Sequence, residues 1–368
     1  NIVDRIYIAR IPEIGTAALG AVGLCFPIIV IITAFSNLFG TGGAPLFSIF
    51  RGKKDPDTAR RIMNTSFTML CVCAVILMAV GFLFARPILI LFGASAEAIV
   101  YAYPYMMLYL IGTLPSMIAV GMNPFINAQG YSSIGMLSVA IGAGTNLVLD
   151  PLFIFALGLG VRGAAIATVI SQCISASLVL RCMVKDTGPL HLDLKKMRLH
   201  PQAMRQILRI GLPAGFQGIL FSLSNVVIQS SVNTFGEVIM AGNSAAANIE
   251  QFVYVSMNAM YQATISFTSQ NYGAGNYHRI RKIMIRAQGC VLVVGLVLGN
   301  AATFAGKPLL GIYTTSPAVI EAGLCPWWAP AACVCCGSPP FFSCPSSTPS
   351  RRSTGPIPSA GLLPSAST

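Results

Sequence analysis

Long stretches without a single Asp, Glu, Lys or Arg alternate with short basic clusters along this chain. Residues 14–50 run uncharged for 37 positions, 62–85 for 24 and 98–149 for 52. Further uncharged runs cover 163–180, 210–236 and 287–306, while 238–278 is interrupted by Glu250 alone. About 20 apolar residues, each rising about 1.5 Å, cross a bilayer, so each run predicts a membrane helix. The 52-residue run is long enough for two, with turn residues from Asn123-Pro124 through Gln129-Gly130 between them. With an apolar stub before Arg5, the pattern predicts the end of one span followed by eight full ones, about nine in all. The fold class is an all-α polytopic membrane protein.

Composition agrees. Hydrophobic residues make up 55% of the 368, charged residues only 9%, and mean hydropathy is +0.73. A soluble domain carries roughly a quarter charged residues, so this chain lacks the polar surface to stay in water. The net charge of +12 would suggest nucleic acid in a soluble protein. Here the cations fall between apolar runs and no aromatic-basic module accompanies them, which argues against nucleic acid as a partner. The lipid bilayer is the partner the pattern implies.

The cations also orient the spans. Five Lys and Arg lie between the second and third spans (51–61), seven between the sixth and seventh (181–209), and four between the eighth and ninth (279–286). If spans alternate, these loops share one side and hold sixteen of the 23 basic residues. The other side has Arg5, Arg10, Arg86, Arg162 and Lys307. The positive-inside rule makes the basic side, with the N-terminus, cytoplasmic. Cys25, Cys71, Cys73, Cys173 and Cys290 sit inside apolar runs as small hydrophobes, not as a disulfide framework.

Displaced by 221 residues, the chain matches itself. Gly15 meets Gly236, Ile28 meets Ile249, Asn37 meets Asn258 and Ser48 meets Ser269; Gly52 then meets Gly273, and Arg60 meets Arg281. Apolar sequences match easily, but the shared register also runs through a polar loop, which points to an internal repeat. The displacement covers six spans, an even number, so the repeats are parallel, an architecture that binds substrate between two halves. The predicted organisation is a first lobe at 1–186, a basic cytoplasmic linker at 187–209 and a partial second lobe at 210–323.

Of eleven acidic residues, three fall at membrane depth: Asp4, Asp150 and Glu250. A charge near the bilayer centre costs about 2.5–3.5 kcal/mol, so it is functional by default. Asp150 precedes the outer turn near Gly158 by about 8 residues, or ~12 Å, and Thr168 enters from that turn to the same depth. Asn146 and Asp150 are spaced i, i+4 and share a helix face, and Asp4 lies close to the outer end of its span. Two carboxylates, an amide and a hydroxyl can therefore converge. Oxygen donors suit a hard cation such as Na⁺. They suit a proton equally, because a desolvated carboxylate beside a like charge holds one more readily. Thr168 can instead bond its own backbone. Glu250 is a possible second-lobe polar site or a hydrated interfacial group.

Several segments resemble the multidrug and toxic compound extrusion (MATE) family. They are Asn1-Ile-Val-Asp-Arg-Ile-Tyr-Ile8, Asn146-Leu-Val-Leu-Asp-Pro151 and Gly158-Leu-Gly-Val-Arg-Gly-Ala-Ala-Ile-Ala-Thr168, with Gly211-Leu-Pro213 opening the seventh span. Asn248-Ile-Glu-Gln251 and Thr268-Ser-Gln-Asn-Tyr-Gly273 resemble the Firmicutes-type branch. The resemblance covers residues 1 to about 323. It implies two lobes of six spans each in a bacterial cell membrane, acting as a monomer without cofactor. It implies export of organic cations in exchange for Na⁺ or H⁺, by rocker-switch alternating access. The family's first-lobe cation site carries over to Asp4, Asn146, Asp150 and Thr168. Some members add acids in the seventh and tenth helices; here the seventh has none and no tenth is recognisable.

Two rivals fit less well. A lipid-linked oligosaccharide flippase would need cations inside its spans for a pyrophosphate, and the uncharged runs hold none. A membrane-embedded enzyme would need a nucleophile–base or metal pair, yet His191, His200 and His278 all lie in loops. An inactive exporter fragment is the third alternative, because residues 324–368 turn Pro-, Ser- and Cys-rich and cannot supply further helices. That tail is expected to be read out of frame. Its Cys333, Cys335, Cys336 and Cys344 lack the paired spacing with histidine of a zinc site.

Overall fold

The computed structural model describes residues 15–92, 96–185, 198–233 and 237–311, together with 4, 7, 8, 11, 94, 191, 192, 317–320, 323 and 324. Residues 187–190 and 193–197 of the linker and the whole tail from 325, with its five cysteines, lie outside the described residues. Among those described, the regular structure is entirely helical: α1 (Gly15–Gly52), α2 (Pro56–Leu91), α3 (Ala96–Ile111), α4 (Thr113–Gly121), α5 (Asn123–Gln129) and α6 (Ser132–Pro151) come first. A π-helical turn at Leu152–Ala156 leads to α7 (Val161–Lys185), α8 (Pro201–Asn233), α9 (Glu237–Gly273), α10 (Tyr277–Phe304) and α11 (Gly306–Gly311).

Each of the eight full spans predicted from the uncharged runs lies on a helix or a helix group. Six of these helices are long and apolar enough to cross a membrane among the described residues, and the bent pair Glu97–Ile111 and Thr113–Gln129 makes a seventh. The pair breaks by 56°. Helix α9 covers the predicted eighth span but is more polar than the six. The predicted turn at 123–130 is displaced. Pro124 stands in the first turn of α5, where its missing N–H costs nothing. The chain actually turns at Gly130, whose φ of 92° is left-handed, and Tyr131 N–H closes onto Ile126 O at 3.1 Å. Helix α8 begins at Pro201, so the end of the basic linker is helical.

Exposed side chains confirm the apolar solvent. Leu83, Leu91 and Val148 are 74%, 81% and 67% exposed, an arrangement water would penalise and acyl chains satisfy. Polar caps appear instead at the loop ends: Asp55 Oδ1 accepts from Thr58 N–H at 3.1 Å and starts α2, with Pro56 at its first position. That bond holds the Asp55 carboxyl below its ordinary range.

By packing, the chain forms two units. One comprises Asn1–Thr234 and Gln251–Gly299, the other Phe235–Glu250 and Asn300–Thr368. In the smaller unit Ala245, Ile249 and Leu310 form a small apolar cluster. The larger unit is organised around α1, which approaches its neighbours through glycine. A Cβ on Gly40 would stand 2.8 Å from Gly121 O on α4, and one on Gly42 2.6 Å from Ile207 O on α8. At the end of α1 the repeat becomes visible in space. A Cβ on Gly52 would overlap the carbonyl oxygen of Gln270, and one on Gly273 would overlap that of Ile49. Residues 49 and 52 correspond to 270 and 273 under the 221-residue displacement, so the two repeats cross here as a symmetric pair.

Candidate cation-binding site

Asp150 ends α6 one residue before Pro151, where the helix widens into the π turn Leu152–Ala156. Gly158 and Gly160, with φ of 64° and 55°, then reverse the chain into α7. This is the turn expected near Gly158. A Cβ on Gly163 would lie 2.6 Å from Phe153 O, so the start of α7 packs directly on the π turn. The first segment is pinned to the same place: Tyr7 meets Phe155 edge to face at 6.3 Å, and Ile8 is fully buried.

These elements bring the four predicted side chains together. Asp4, Asp150 and Thr168 are buried, at 6%, 0% and 5% exposure. The Asp4 and Asp150 carboxyls face one another within reach of a shared hydrogen bond. Asn146 Nδ2 donates to Asp150 Oδ1 at 3.1 Å, as the i, i+4 spacing requires. Thr168 Oγ1 lies 3.4 Å from Asp4 Oδ2 and 2.9 Å from its own helix's Ala164 O. A hydroxyl has one proton to give, so Thr168 can donate to Asp4 Oδ2 or to Ala164 O, one at a time. Asp150 Oδ2 is buried with no hydrogen-bond donor on it among the described residues. Among the described residues the cluster is rich in acceptors, a composition that a hard cation or a proton completes.

Two tyrosines that sequence reasoning did not assign border the cluster. Tyr105 is buried within electrostatic range of both carboxylates, and Tyr109 of Asp4. Their rings stack at 6.3 Å across one turn of α3. Four tyrosines in Tyr101-Ala-Tyr-Pro-Tyr105 and Tyr109, inside one apolar run, are the signal that could have found them. Glu250 is exposed on α9. On the same helix Tyr254 and Tyr261 are exposed while Met257 and Met260 are half-buried.

A family model described as MatE matches residues 1–152 and 213–324. Among curated proteins the chain is similar to an FAD transporter of Shewanella oneidensis, 26% identical over 329 residues, covering 87% of this chain and 71% of that protein. It is also similar to the multidrug export protein MepA of Staphylococcus haemolyticus, 24% identical over 302 residues and covering 82% and 67% of the two chains. Among solved structures, a crystal structure of MATE in the straight conformation matches with a TM-score of 0.83 at 24% identity, over 89% of this chain and 73% of that one. An outward-facing multidrug resistance MATE family transporter gives a TM-score of 0.81 at 24% identity, with the same coverage. These structural likenesses concern the fold.

Proposed function

Because this chain belongs to the MatE family, a family of membrane transporters and not of enzymes, we propose that it exports organic cations by antiport with Na⁺ or H⁺. The observation that carries the reading is the facing pair Asp4 and Asp150, buried together, with no donor on Asp150 Oδ2 among the described residues. Two carboxylates out of water repel strongly at low dielectric and do not both stay ionised without a positive partner. Binding of that partner is therefore coupled to the packing of the elements that bear them: the first segment, the α6–π-turn junction and α7. Such coupling can drive alternating access, because a ligand shifts a conformational equilibrium by its differential affinity for the two states. Occupancy of the pair would favour the arrangement that releases the drug, and the lobes would rock about the cleft between the repeats.

The relatives named as multidrug export proteins support a drug-like cargo. The basic loops support a cytoplasmic-membrane orientation with those loops inside, and a single chain provides the whole carboxylate pair, so the unit of action is a monomer. The reading is tested by dye efflux from cells expressing the chain under an imposed Na⁺ or proton gradient. Wild type should clear an organic-cation dye faster than an empty vector, and Asp150→Asn should clear it no faster than the vector. Absence of efflux by wild type would remove the exporter reading. Wild-type efflux by Asp150→Asn would remove the carboxylate pair from coupling.

A further inference from the structure

Between α6 and α7 lies an open groove of about 450 Å³. That volume falls in the range of about 300–1,000 Å³ typical of small-molecule sites. The groove exists because the helices approach closely on small residues. Ser175 Oγ donates to Ser138 O at 2.8 Å, and a Cβ on Gly142 would overlap Ser175 Oγ. Longer side chains then stand up on either side as walls: Ile134, Leu137 and Ile141 on α6, and Leu178 on α7. One end is different. There Arg181 and Lys185, one turn apart on α7, and Tyr131, just before α6, close the groove with polar groups. Both cations are exposed, and among the described residues neither is in an ion pair; Asp186, next in the chain, lies outside those residues.

We infer that this groove is a binding site for an anionic phospholipid. Its phosphate would sit between Arg181 and Lys185 with the Tyr131 hydroxyl beside it, and an acyl chain would lie along the apolar walls. Three observations converge. First, the groove runs from Tyr131 to Ile141, ten residues or about 15 Å of helix rise, which is one leaflet of a hydrocarbon core about 30 Å thick. Secondly, its cations stand at the end adjoining the basic loop 181–209, where the headgroups of that leaflet must lie. Thirdly, the apolar walls are open to the surroundings: Leu137 is 54% exposed and Ile134 40%. The same charges oppose a cationic cargo, so the groove is separate from the transport path. Basic pockets between membrane helices are recognised means of holding anionic headgroups.

The purified, delipidated chain can be titrated with phosphatidylglycerol and with phosphatidylcholine of identical acyl chains, bound lipid being counted by native mass spectrometry. Each basic residue beside an anionic headgroup is worth about five-fold in affinity. The double variant Arg181→Gln/Lys185→Gln should therefore bind phosphatidylglycerol about thirty-fold more weakly. Lys54→Gln/Arg61→Gln, which removes equal charge elsewhere, should bind it as wild type does. Ile141→Trp, which fills the apolar end, should weaken both lipids alike. Equal affinity of wild type for the two lipids would overturn the proposal. So would an equal loss in Lys54→Gln/Arg61→Gln, which would make the effect one of overall charge. Competition by soluble glycerol phosphate as effective as that by the lipid would also overturn it, because the acyl trough would then have no part.

Discussion

Replacing Gly52 by Ala should force apart two helices that the structure holds in contact. The new Cβ would overlap Gln270 O and lie 3.0 Å from Ala274 N; one on Gly273 would overlap Ile49 O and lie 2.7 Å from Ile49 C. Ordinary van der Waals contact begins at 3.4 Å. Every obstacle is backbone, so no side chain can rotate away, and the ends of α1 and α9 must separate by at least roughly 0.7 Å. Overpacking of this kind costs about 1–3 kcal/mol, which lowers the weight of the closed arrangement about 5- to 150-fold. The helix-propensity gain of Ala over Gly, about 0.5–1 kcal/mol, applies in both the touching and the parted state and cancels from their ratio. Two further consequences follow from the symmetry of the crossing. Gly273→Ala should behave as Gly52→Ala does, since the repeat makes the positions equivalent. The double variant should cost less than the two singles together, because helices parted for one methyl already admit the other. Spin labels carried on unnatural amino acids at positions 53 and 274, both exposed, would report the separation by pulsed electron resonance. Distance distributions unchanged in both single variants would refute the reasoning, and strict additivity in the double would refute the shared crossing.

Two other substitutions probe different parts of the larger unit. Thr168→Ala removes one oxygen from the carboxylate cluster at a cost of about 1 kcal/mol, so the cation concentration for half-maximal dye efflux should rise about five-fold, while Thr168→Ser should keep it within about two-fold of wild type; an unshifted Thr168→Ala would leave Thr168 with its backbone bond alone. Arg51→Met should destabilise the chain by about 1–3 kcal/mol, because Arg51 Nη1 donates to the Ala128 carbonyl near the end of α5 and its loss leaves that acceptor bare. Unfolding in detergent, followed by circular dichroism, would then start at lower denaturant, and an unchanged midpoint would contradict the assignment.

The helical organisation was legible wherever charge punctuates the apolar runs, and blurred wherever it does not. Basic clusters at 51–61, 181–209 and 279–286 stand in or beside the connections between helices. Within residues 98–149 no charge marks anything, and the 56° bend at Gly112 left no trace in the pattern. Asn123-Pro124 looked like a turn because proline breaks helices in their interior. In the first turn of a helix it breaks nothing, and the real stop is Gly130, the residue that can take a left-handed φ.

The site divides along the same line, and the division has a physical cause. Asp4 and Asp150 announced themselves because carboxylates in oil are expensive, and Asn146 followed from helical spacing alone. Tyr105 and Tyr109 did not, because a tyrosine in an apolar span is indistinguishable by composition from a packing residue. Nor did the π turn. Yet it is the π turn after Pro151 that takes Asp150 out of a regular helix, gives Tyr7 the ring of Phe155 to dock against and gives Gly163 a backbone to pack on. A straight α6 would present the same four side chains without holding the first segment and α7 against them. The acids of the site are therefore a matter of sequence, but their convergence rests on one irregular turn. A change that regularised it should disperse the carboxylates while leaving every functional residue in place.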